Sequence, residues 1–153
     1  MPEKPAAMNR RNLVHSAALT ATATLLVATN AQGETANSRK HYKIVIQVSD
    51  NDPAKWNLAL NNAKNLQADV GASNVAVEIV AYGPGVGMLK FGSTVGDRVS
   101  DAVAAGVHVV ACQNTMHAQK LTKEDMNPSV GYVPAGVTEI MKKQSEGWAY
   151  LRP

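Results

Sequence analysis

The chain contains one cysteine, Cys112, and its setting is the one best suited to chemistry. It follows the apolar run Val107-His108-Val109-Val110-Ala111, which reads as a buried strand. It precedes Gln113, Asn114 and Thr115, polar residues that can end that strand and open a helix. In open parallel sheets, ligands and reactions gather at the carboxyl ends of strands. A thiol there meets unpaired backbone N–H groups at a helix start, which favour the thiolate and so create a nucleophile. The plain alternative is that Cys112 fills space as a small apolar side chain, as most buried free cysteines do.

Other candidate groups carry less. The loop Gly83-Pro84-Gly85-Val86-Gly87 invites a nucleotide reading, but a dinucleotide fingerprint would need glycine where Met88 stands, and the lysine and hydroxyl of a phosphate loop are missing. A tight turn that needs positive φ or close backbone approach explains these glycines. The loop falls at the same sheet edge as Cys112, so Gly83, Pro84 and Gly85 are candidates to wall a pocket, with Gln113 and Asn114 as hydrogen-bonding groups. His117, five residues after Cys112, is a conceivable catalytic partner for it. No second cysteine or close histidine completes a tetrahedral metal set, and the pattern calls for no cofactor. His108, inside the strand, reads as a core or interface residue. Capping and turn formation account for Asp50 and Asp52. Trp56, Tyr132, Trp148 and Tyr150 read as core or subunit-interface residues rather than a stacking surface.

The elements that must position Cys112 follow from periodicity. Lys43 to Val48 is β-branched and apolar, a first strand. Asp52 is a natural N-cap with Pro53 in the first helical position. Trp56, Leu60, Ala63 and Leu66 then recur at helical spacing to about Asp69, before Gly71. Asn74–Tyr82 reads as a second strand, Val95–Ala105 as a helix closed by Gly106, and Val107–Ala111 as the third strand. A short helix over Thr115–Leu121 precedes Thr122-Lys123-Glu124-Asp125, which resembles a capping box. Val130–Val133 is a fourth strand, Gly136–Ser145 a helix stopped by Gly147, and Trp148–Leu151 a last strand. Strands alternating with helices predict an α/β fold with a mostly parallel sheet covered by helices on both faces.

Length and charge bound the rest. The 153 residues suit one domain, and 45% hydrophobic with 18% charged content supports a packed core. The net charge is +3, of which Lys4, Arg10 and Arg11 against Glu3 place +2 in the first 31 residues. No basic stripe remains beyond them, which argues against nucleic acid as a partner. Residues 1–31 read as an export signal: Arg10-Arg11, a mild Ala/Thr/Leu stretch from Ser16 to Ala28, then small residues to Ala31. The stretch falls short of the about 20 apolar residues of a stable membrane span. Asn9, Leu13, Val14 and His15 around the two arginines give a partial twin-arginine pattern, so the expected location is periplasmic or exported. Residues 32–40 read as a polar tether and 41–153 as the folded domain.

Four blocks then stand out together: Val80-Ala81-Tyr82-Gly83-Pro84-Gly85, Ala111-Cys112-Gln113-Asn114-Thr115-Met116, Val133-Pro134-Ala135-Gly136-Val137 and Gln144-Ser145-Glu146-Gly147-Trp148-Ala149-Tyr150. In this order and spacing they resemble the DsrE/DsrF-like family, over about residues 41–153. The resemblance implies a three-layer α/β/α sandwich with a mostly parallel, about five-stranded sheet, and assembly into homo-oligomers, trimers or hexamers. In sulfur-relay members a cysteine carries sulfur as a persulfide between proteins, and that role maps onto Cys112 alone. The resulting expectation is an exported sulfur carrier that exchanges sulfane sulfur with a donor or acceptor protein. An exported compartment is oxidising, so such a carrier needs a partner that keeps its thiol usable. Two other readings stand beside it: a ring-forming, non-enzymatic binding module with a structural Cys112, and a redox sensor that uses Cys112 for intermolecular disulfides.

Overall fold

The computed structural model describes residues 42–153. The export segment, the tether and His41 lie outside the described residues. Five strands and four helices alternate: β1 (Tyr42–Val48), α1 (Pro53–Val70), β2 (Val75–Ala81), α2 (Gly96–Ala104), β3 (His108–Cys112), α3 (Gln113–Ala118), β4 (Gly131–Val133), α4 (Gly136–Ser145) and β5 (Ala149–Leu151). The strands form one sheet in the order β4-β3-β2-β1-β5, and each neighbouring pair is parallel.

That order fixes which face each helix covers. From β1 to β4 the chain moves steadily across the sheet. From β4 it must return past three strands to reach β5 beside β1. Right-handed crossovers in opposite directions place their helices on opposite faces. Accordingly α1, α2 and the start of α3 pack on one face, where Trp56, Leu60, Val99 and Met116 join Ile46, Ile79 and Val109 in the main core. Helix α4 packs alone on the other, where Ile140 meets Val45 and Val80.

Local chemistry explains the element ends. Asp52 caps α1 by accepting the Ala54 N–H at 2.8 Å, with Pro53 in the first turn. Gly71 takes φ +87° at the helix end, a left-handed conformation that favours glycine. The Thr122–Asp125 capping box forms, with both the Thr122 N–H and hydroxyl donating to Asp125 Oδ2.

Three expectations are corrected. The glycine loop after β2 is a 3₁₀ helix, Gly83–Leu89, that buries Val86, Met88 and Leu89. Its apolar residues draw it onto the main core, so the segment coils inward. Helix α3 begins at Gln113, directly after the strand, rather than at Thr115. His108 is exposed in the first position of β3, which removes the core half of its core-or-interface reading. Side chains alternate across a strand, and Val107 and Val109 occupy the inward positions on the covered face.

Candidate functional site

The site forms where the chain leaves two adjacent strands toward opposite faces. Cys112 ends β3 and pairs in register with Val133 at the end of β4. After Cys112 the chain turns into α3 on the main-core side. After Val133 it turns into α4 on the other. Diverging connections of this kind leave a crevice beyond the carboxyl ends of the strands. Because Val109 and Ala111 face the main core, the alternation along β3 puts Cys112 on the α4 side, together with Val110.

Cys112 therefore stands between two helix beginnings. It is itself the N-cap of α3, and the N-cap of α4 is Ala135, whose side chain cannot accept a hydrogen bond. Helix N-termini leave backbone N–H groups without intrahelical partners. Burial, at 5% exposure, pushes the Cys112 thiol up; hydrogen bonding from the Thr115 side chain and from backbone groups of Gly136, Thr115 and Asn114 pulls it down, and the balance falls below the ordinary thiol value. The Cys112 side chain makes no cap hydrogen bond to the first turn of α3. A thiol is a weak acceptor and the thiolate a strong one, so the same donors act most on the ionised form.

Two of these groups were not singled out from the sequence. Thr115 Oγ1 accepts the Gly83 N–H at 2.9 Å, which leaves its own proton free for the sulfur. Gly136 starts α4 against Tyr82, so closely that a Cβ on it would lie 2.9 Å from the Tyr82 Cβ. The signals were available: a threonine three residues after the cysteine, in N3 of its helix, and a glycine after a Pro-terminated strand.

The structure distributes the expected pocket residues unevenly. Gly83 has φ +53° and joins the site through Thr115, while its carbonyl accepts from Gln119 Nε2 at 3.1 Å. Asn114 joins through its backbone, and its N–H also donates to Pro134 O at 3.1 Å, tying α3 to the approach of α4. Gly85 is instead buried against the end of β1, where a Cβ would sit 2.3 Å from Val48 O. Pro84 is exposed at the surface, and Gln113 is half-buried in the first turn of α3. Four cavities of about 250 to 440 Å³ among the described residues are lined by other residues.

The remaining candidates lie away from Cys112 or have structural partners. His117 is exposed in the last turn of α3 and is not among the groups that act on Cys112. Trp56 donates from Nε1 to Asp50 O at 2.7 Å within the core. Asp50 pairs with Lys55 at 3.1 Å and Arg152 at 3.4 Å, and both cations hold its carboxyl below the usual range. Tyr150 donates to Gln47 Oε1 at 2.6 Å, and Lys123 lies over the Tyr132 ring at 5.0 Å. Trp148 packs beside the Val45, Val80 and Ile140 cluster. Among the described residues no group of three or more His, Cys, Asp or Glu is arranged to hold a metal ion. No helix among them is long and apolar enough to cross a membrane.

Fold and site together define a parallel α/β sandwich with a lone cysteine between two helix starts at the carboxyl edge of its sheet. The model of the DsrE/DsrF-like family matches residues 40–153, and the chain belongs to that family. It is similar to the solved structure of a protein of unknown function from Methanobacterium thermoautotrophicum, at 37% identity and a TM-score of 0.70, over 73% of this chain and 99% of that one. A conserved protein of unknown function from Bacteroides thetaiotaomicron shares the fold, with a TM-score of 0.56 and 15% identity over 72% of this chain and 94% of its own. No curated protein matches.

Proposed function

We propose that this protein is a sulfur carrier of the relay type, with Cys112 as the residue that holds the sulfur. The observation that carries the reading is the convergence of donors from α3 and α4 on Cys112, in a chain of the DsrE/DsrF-like family. The Cys112 thiolate attacks the outer sulfur of a donor persulfide. The S–S bond of the donor breaks, its electron pair leaves with the donor thiolate, and a persulfide remains on Cys112. An acceptor thiolate then attacks the outer sulfur, and Cys112 departs as the thiolate. No net oxidant is consumed, because sulfane sulfur passes between thiols. The donors around Cys112 stabilise it both as nucleophile and as leaving group.

The direct test is mass spectrometry of the native protein after treatment with polysulfide. One added sulfur atom on Cys112, removed by a thiol acceptor, is the expected result. An unmodified Cys112 across several sulfane donors rejects the reading.

Burial favours a second reading, in which Cys112 is packing in a ring-forming binding module. It predicts that native protein resists alkylation until unfolded and that Cys112→Ser leaves its binding intact. Assembly belongs to both readings. Val137 and Met141 lie one turn apart on α4, 63% and 58% exposed, and apolar groups in that arrangement support a homo-oligomer, for which the family resemblance implies three or six copies. Light scattering of the protein tests this. Export through residues 1–31 belongs to the proposal too, and N-terminal sequencing of protein from the periplasmic fraction checks it. Intermolecular disulfides on nonreducing gels would favour a redox-sensing role for Cys112.

A further inference from the structure

Helix α4 meets the sheet along one stripe, at three points. Gly136, Ile140 and Lys143 have the i, i+4, i+7 spacing of a single helical face. Tyr82, Val80 and Glu78 are two residues apart along β2 and its extension, and so share one face of the sheet. They meet in order. Gly136 sits on Tyr82, Ile140 packs with Val80, and Lys143 Nζ reaches Glu78 Oε2 at 2.9 Å. Helix α4 therefore runs antiparallel to β2, and about 10 Å of stiff helix separates the Gly136 contact from the Lys143 contact.

The far contact has an unusual composition. Glu78 is 3% exposed on a central strand, and its Oε1 is buried with no hydrogen-bond partner. Lys143 is shared with Glu139 at 3.5 Å and lies over the Trp148 ring at 4.5 Å. Burial pushes the Lys143 ammonium down, while Glu78 and Glu139 pull it above its ordinary value, so Lys143 keeps its charge. A buried ion pair with an unsatisfied oxygen is a poor source of stability, because desolvation offsets the attraction and apolar side chains could fill the space. Such a pair supplies register instead: one turn or one residue of slip separates the charges, whereas Ile140 would find apolar contacts at several positions.

We propose that Glu78 and Lys143 are positioning residues, whose ion pair locks the register of α4 on β2 and thereby holds the Gly136 amide against the sulfur of Cys112. The inference deepens the sulfur-carrier reading, since the amide held in place is a donor to the thiol that reacts there. It assigns a function to a pair that lies outside the crevice and touches no reacting atom.

The test is the pH dependence of Cys112 alkylation by iodoacetamide in the folded full-length chain, with folding checked by circular dichroism. Glu78→Gln is the decisive variant, because its two possible effects have opposite signs. Loss of an anion acting through space would favour the thiolate and lower the alkylation midpoint. Loss of α4 register withdraws an N–H from the sulfur and raises it. The expected result is a raised midpoint and a severalfold slower reaction at neutral pH. A midpoint at or below that of the wild type overturns the proposal. Should Glu78→Gln not fold, Lys143→Met and Lys143→Arg decide. Lys143→Met should raise the midpoint and Lys143→Arg, which can still pair with Glu78, should restore it; a wild-type midpoint in Lys143→Met is the overturning result. Glu139→Gln, which leaves the Glu78 contact in place, should keep the wild-type midpoint. The readout is thiol acidity and not persulfide transfer, so a failure here and a failure of the carrier reading are told apart.

Discussion

The two faces of the sheet are built on different principles. The face under α1 and α2 is a continuous aliphatic core: Ile46, Ile79, Leu60, Val86, Leu89, Val99 and their neighbours are almost wholly removed from water. The face under α4 has a cluster of only three buried residues, Val45, Val80 and Ile140, and around it stand Glu78, Tyr82 and Cys112. One face supplies most of the hydrophobic free energy, which scales with apolar area removed from water. The other holds the polar and nucleophilic groups at defined positions. Separation of this kind lets the second face carry an ion pair and a helix start at a thiol, both poor choices for stability, because the first face secures the fold.

The largest expected effect tests that division on the stable side. Ile79→Ala, at a fully buried position of β2, should cost about 2–5 kcal/mol in denaturant unfolding while leaving the alkylation midpoint of Cys112 unchanged. A shifted midpoint would show that the faces are not independent. On the other side, Gly136→Ala places a methyl group against Tyr82 and should cost about 1–3 kcal/mol. It should also raise the midpoint, because the displaced amide is one of the sulfur's donors. Thr115→Val removes the acceptor of the Gly83 N–H and one donor to Cys112. A loss of about 1 kcal/mol and a raised midpoint are expected, with Thr115→Ser close to the wild type.

The smallest effect is a dependence of stability on pH. The Cys112 pKa in the fold lies below that of an ordinary, unfolded thiol. Between the two values the folded state binds fewer protons than the unfolded state, so stability rises with pH across that window. The contribution is complete above the unfolded pKa and is lost as pH falls through the folded one. The difference in unfolding free energy between the wild type and Cys112→Ala should therefore grow from neutrality to about pH 9. A difference that stays flat would mean that the donors do not favour the thiolate.

Much of this architecture was legible in the sequence because its signals are local. Asp52-Pro53 and Gly71 bound α1, Thr122 to Asp125 form their capping box, and Gly136–Ser145 is helical as the periodicity predicts. Cys112 at the end of β3 was legible for the same reason. The glycine loop was harder. Gly83 needs its positive φ and Gly85 its close approach to Val48, but the coil that runs on to Leu89 is made by the core that Val86, Met88 and Leu89 enter. His108 was left between core and interface because it sits in an apolar run, and only the pairing of β3 shows which face it joins.

The sequence by itself determined the alternation of strands and helices, the caps that bound them and the strand that ends in the thiol. These depend on groups within a few residues of one another, where periodicity and side-chain type suffice. The tertiary structure alone decided that α4 covers the second face, that Gly136 and Thr115 converge on Cys112, and that Lys143 reaches Glu78. The partners there lie far apart in the chain, 65 residues for Glu78 and Lys143 and 95 for Val45 and Ile140, and no local preference encodes which of them meet. Strand order and crossover hand bring them together, and packing then fixes the register.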